Sequence, residues 1–147
     1  MNRNGLRSLT LHVNFEVNQK HFIFSLSFLI SSFLFSHHGA AQGSVIDLTG
    51  VDFNQPGLHA ISGTWEFYWN RLLTPQDFTR KYQGGELMSV PGSWNKQSAY
   101  PALGFATYRV KIKLPTHDGG LAIYFPVINS AAKIWINREV VAETGTA

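Results

Sequence analysis

Cysteine is missing from all 147 residues, so neither disulfides nor thiolate metal centres can hold this chain together. Charge is sparse too. Twelve Lys and Arg stand against nine Asp and Glu. Arg3, Arg7 and Lys20 face only Glu16 among the first 41 residues, which leaves nine basic and eight acidic residues beyond them. The body is therefore nearly neutral, and after the start no basic cluster exceeds Arg80-Lys81. Phosphate-tracking nucleic-acid binding has little to work with. No apolar run approaches the roughly 20 residues a membrane helix needs. Gly-x-Ser-x-Gly, a phosphate-cradling Gly-rich loop and His-Glu-x-x-His are all absent.

What is present begins with a leader-like pattern. The uncharged run from Phe22 to Phe35 follows Lys20 and is followed by Gly39, Ala40 and Ala41. A positive start, a short apolar run and a small-residue exit predict a secretory signal helix over residues 1–41, cleaved after Ala41, with an uncleaved anchor as the competing reading. The stretch ahead of the apolar run is long for such a signal, and no second Met precedes Met88. Four of the six histidines lie in this leader and would leave with it. Residues 42–147 then form one exported domain, holding all four Trp and all five Tyr.

Beyond the leader the period is two. From Ala106 to Leu114 the chain alternates, with Ala106, Tyr108, Val110, Ile112 and Leu114 on one side and Thr107, Arg109, Lys111 and Lys113 on the other. That is a half-buried strand, one face on a core and one in water. Trp65, Phe67 and Trp69 share a face in another strand, opposite Glu66 and Tyr68, and read as core. Thr74-Pro75-Gln76-Asp77 has the form of a helix start, predicting a short helix from Pro75 to Lys81. Brief strands are expected at 44–48, 87–90, 121–125 and 131–136, the last turning at Asn137-Arg138 into 139–141. About six short strands predict an all-β sandwich or jelly roll. That is few for two sheets, so the reading is of a domain incomplete at its C-terminal end.

Five blocks carry a family resemblance: Ser62-Gly-Thr-Trp-Glu-Phe-Tyr-Trp69, Leu72-Leu-Thr-Pro-Gln-Asp-Phe78, Val90-Pro-Gly-Ser-Trp94, Gly104-Phe-Ala-Thr-Tyr-Arg109 and Lys133-Ile-Trp-Ile-Asn137. Together they resemble the extracytoplasmic sensor domain of bacterial seven-transmembrane receptors with diverse intracellular signalling modules. The resemblance implies a jelly roll similar to galactose-binding folds. It also implies a small-molecule or carbohydrate ligand, and a periplasmic or cell-surface location. A membrane bundle and a cyclase, kinase or phosphatase would lie in segments not present here. The sugar-binding N-terminal domain of family-2 glycoside hydrolases shares the Trp/Pro block and the Tyr-Arg strand, but Trp-Glu-Phe-Tyr-Trp followed by Leu-Leu-Thr-Pro favours the receptor type. Both families place Asn-Gly where this chain has Asn137-Arg138. A type I′ turn needs positive φ at both positions, so this turn is of another type or its hairpin is weaker.

No cofactor is expected, and no residue is assigned a catalytic role. Sugar rings stack on flat aromatic faces while polar groups read their hydroxyls. On that chemistry the ligand-binding candidates are Trp94 and Tyr100 in a loop, and Arg109, Tyr124 and Trp135 on outward faces. Three of them have a structural alternative. Trp94 can plug the core beside Pro91, Arg109 can pair across strands, and Trp135 can cover absent strands or a membrane domain. His59 and His117 read as solvated loop residues, and Asp47 or Asp52 as a candidate for holding a structural calcium ion.

Overall fold

The computed structural model describes residues 7–17, 44–80, 82, 84–117, 119–125 and 131–145. They are all-β. Seven strands form one sheet: β1 Arg7–Val17, β2 Val45–Asp47, β3 Gly63–Trp69, β4 Glu86–Val90, β5 Gly104–Leu114, β6 Ala131–Ile136 and β7 Glu139–Thr144. The main order is β4-β3-β5-β1-β6-β7, and β2 pairs with β5. Every pairing is antiparallel except β2 with β5. A sheet of this composition with both faces covered is in keeping with an all-β sandwich.

β5 behaves as its alternation predicts on one side. Ala106, Tyr108, Val110 and Ile112 are buried, in one core with Trp65, Phe67 and Met88. Phe67 and Tyr108 are register partners, their ring centroids 4.9 Å apart. Such cross-strand aromatic pairs contribute beyond their buried area. The other side departs from the prediction of a face in water: Thr107 is fully buried and Arg109 partly so, while Lys111 and Lys113 are exposed. The cause is a second cover. Residues 71–80 and Tyr82 fold back over that face, and Thr107 tethers them by accepting from the Leu73 N–H (2.8 Å) and reaching the Arg71 carbonyl (2.8 Å).

The largest departure concerns β1. Residues 7–17 fall inside the expected leader, yet they form a strand between β5 and β6, paired along all of β5 and with six residues of β6. Leu11, His12, Val13 and Asn14 are all buried. A chain cut after Ala41 would lack this strand, so the two roles for residues 7–17 exclude one another. The apolar run 22–35 lies outside the described residues.

Smaller elements differ as well. The expected helix at 75–81 is a 3₁₀ turn, Asp77–Arg80, and its start signal is real: Asp77 accepts from the Thr74 N–H (2.7 Å) and hydroxyl (2.8 Å). A four-residue helical turn, α1 (Trp94–Gln97), occupies what reads as irregular loop. Its Gln97 amide exchanges two 2.9 Å bonds with the Ser89 backbone, so it shields the β4 edge. Residues 121–125 join no ladder, although Ile123 and Phe125 pack against the core. At the β6–β7 turn only Asn137 has positive φ (58°), so the turn is not type I′. Asn tolerates that conformation, and its Oδ1 accepts from the Thr10 N–H at 3.1 Å while its own N–H donates to the Thr10 carbonyl at 2.8 Å.

Candidate functional site

Register puts polar residues in rows across the covered face. Glu66, Arg109, His12 and Trp135 are successive partners on β3, β5, β1 and β6. Tyr68, Thr107, Asn14 and Lys133 form the next row. Because side chains on one face recur every second residue, these two rows share a surface. Arg109 Nη1 and the Tyr68 hydroxyl both donate to Glu66 Oε2, each at 2.8 Å. Glu66 is only 4 % exposed, so the bonds that compensate its buried charge hold the pair in place. Burial and the Glu66 carboxylate push the Tyr68 phenol well above its ordinary range. The Phe78 ring lies under the Arg109 guanidinium, 4.6 Å from Cζ, and 5.0 Å from the His12 ring.

Beside this network is a pocket of about 240 Å³, lined by Thr10, His12, Pro75, Phe78, Thr79, Arg109, Asn137 and Arg138. It forms where β1 and β5 meet the 3₁₀ turn and the β6–β7 turn. Two of its lining residues carry unmet hydrogen-bonding capacity. His12 Nδ1 and Arg109 Nε are buried with no partner among the described residues. Burial, with the nearby Arg109 charge, pulls the His12 pKa from 6.5 down to about 4, so the imidazole is neutral at neutral pH. A neutral imidazole offers one donor and one acceptor nitrogen. The site can hold a small polar molecule by its hydrogen-bonding groups, with Pro75 and Phe78 as an apolar wall.

No family model, curated protein or solved structure matches the chain.

Of the five sequence candidates, Arg109 lines the pocket, and it also makes the cross-strand ion pair foreseen as its alternative. Trp94 is buried, with its indole N–H on the Pro101 carbonyl at 2.7 Å. Tyr100 stacks on Trp69 at 4.8 Å and gives its hydroxyl to Glu86. These two belong to the opposite, core-facing side. Trp135 is buried on β6, its ring 5.9 Å from Lys133 Nζ. Tyr124 is 71 % exposed and none of these four lines the pocket. His12, Thr10, Phe78 and Asn137 were not foreseen. Their signal was legible for β1, since Leu9, Leu11, Val13, Phe15 and Val17 alternate with Thr10, His12, Asn14 and Glu16 as cleanly as β5 does.

Asp47 and Asp52 are engaged locally, accepting from the backbone N–H of Thr49 and Asn54 at 3.0 Å each. Among the described residues no three His, Asp or Glu side chains gather to hold a metal ion, and no helix is long and apolar enough to cross a membrane.

Proposed function

We propose that this chain is the ligand-sensing domain of a bacterial membrane receptor, acting by binding a small molecule rather than by chemistry of its own. The receptor assignment, and with it an exported location, rests on the five sequence blocks. The observation that supports ligand binding is the pocket at His12 and Arg109, whose two orphaned buried nitrogens would normally find a partner. A bound molecule that satisfies them in one receptor state and not another would shift the balance between states by its difference in affinity. In this reading residues 7–17 stay with the domain, because β1 supplies Thr10 and His12 to the site.

The test is a fragment and sugar screen on the intact chain by ¹H–¹⁵N NMR, after mass spectrometry has confirmed the N-terminus. Saturable shifts clustered at Thr10, His12, Thr79 and Asn137 are expected. Saturable binding that leaves these signals unmoved, or a screen with no hits at the pocket, overturns the reading.

A further inference from the structure

Among the described residues the charged groups lining the pocket are of one sign: Arg109 and Arg138 contribute positive charge and no carboxylate lines the walls, while Glu66, beside Arg109 on the same face, holds its Nη1 at 2.8 Å. Arg109 spends Nη1 on Glu66 and leaves Nε unpartnered. Arg138, on the exposed turn, has no ion pair among the described residues. Guanidinium groups suit carboxylate and phosphate oxygens. The remaining polar lining (His12, Thr10, Thr79, Asn137) is neutral and offers both donors and acceptors, which is what hydroxyl groups need. At about 240 Å³ the space falls below the roughly 300–1,000 Å³ typical of drug-sized sites, so the occupant is a single ring or smaller.

We infer that the pocket takes a small polyhydroxylated carboxylate of single-ring size, a hexuronate-type acid sugar, with the acid group toward Arg109 and Arg138 and its hydroxyls toward His12 and Asn137. This rests on the ligand-sensing reading and narrows it to a chemical class. The imidazole, with one donor and one acceptor nitrogen, and the neutral Thr10, Thr79 and Asn137 side chains offer hydroxyl groups more partners than a bare anion uses. The two arginines distinguish it from a neutral sugar. Pro75 and Phe78 provide apolar surface against which the C–H face of a ring can lie.

The experiment titrates the intact chain with galacturonate, galactose and inorganic phosphate, by calorimetry and by NMR. Galacturonate is expected to bind one site and shift His12 and Asn137, with galactose and phosphate each at least about tenfold weaker, the factor that about 1.4 kcal/mol of lost interaction sets. Arg138→Gln, at an exposed turn position, should weaken galacturonate about fivefold or more while leaving the thermal midpoint unchanged. Equal binding of galactose and galacturonate at the pocket would overturn the acid inference and leave the sensing reading standing. Phosphate binding as tight as galacturonate would overturn the hydroxyl half of the inference. If none of the three moves the pocket signals the inference fails, and if the wider screen is also silent there the sensing reading fails with it.

Discussion

Leu11 is the sharpest point at which to strike the fold. It is fully buried on β1, flanked by Val110 of β5 and Ile136 of β6 in register. Replacing it with Ala removes three carbons, worth roughly 2.4 kcal/mol of transfer free energy at about 0.8 kcal/mol each. An incompletely collapsed void adds about 24 cal/mol per Å³, so a residual 25 Å³ contributes roughly 0.6 kcal/mol more. The expected cost is about 3 kcal/mol, inside the roughly 2–5 kcal/mol span of such substitutions. With a urea m-value of about 2 kcal/mol/M, the unfolding midpoint should fall by about 1.5 M. The assay is urea denaturation followed by tryptophan fluorescence, on protein whose intact N-terminus is verified by mass. Ser8→Ala, at an exposed position on the same strand, serves as the control and should change nothing. Should Leu11→Ala prove too unstable to purify, Leu11→Val should still lower the midpoint, by about 0.5 M for about 1 kcal/mol. Midpoints unchanged in both Leu11 variants would show that residues 7–17 lie outside the cooperative unit, and the description of the sheet centre would fall with them.

Three further outcomes are expected. His12 is protonated near pH 6.5 when unfolded and near pH 4 when folded, so its contribution is intact above pH 6.5 and lost as pH falls to about 4, a drop of about 3 kcal/mol. His12→Gln should flatten that limb of the stability–pH curve, whereas Asp47, Asp52 and Asp77, held below their usual 3.8 by local hydrogen bonds, act only at lower pH. A curve equally steep in the variant would place the titrating group elsewhere. Glu66→Ala strands the partly buried Arg109 charge and leaves the Tyr68 hydroxyl without its acceptor, so a loss of about 3 kcal/mol is expected in denaturant melts; a loss under about 1 kcal/mol would mean that the pair is effectively solvated. Gly85→Ala would set a Cβ 2.6 Å from the Tyr68 ring, and a cost of about 1–3 kcal/mol should follow unless the cover over β3 shifts freely.

How far the sequence could carry the reading depended on whether one element's pattern was enough. β5 and the rings of β3 were legible because each buries a face whose period is written in its own residues. β1 has an equally clean alternation, but it stands beside a lysine and a 14-residue apolar run, and the leader pattern claimed both. The burial of Thr107 and Arg109 was not legible. It depends on residues 71–80 docking from a loop, and nothing periodic announces where a loop will lie. The α1 turn is four residues long, too short for a helical period to show. Alternation over 121–125 marked residues that face the core, yet no ladder forms there. The pocket is legible only after the fold is known, because Thr10, Phe78, Arg109 and Asn137 come from four distant parts of the chain.

The antiparallel pairing of β1 with both neighbours has one more consequence. β5 and β6 run parallel to each other on either side of it, and both lie far from it along the chain, so everything that holds β1 in the sheet is long-range pairing and packing. A cut between residue 17 and residue 44 would leave this internal strand as a bound peptide, and the domain's persistence would then depend on how much of that peptide is in solution.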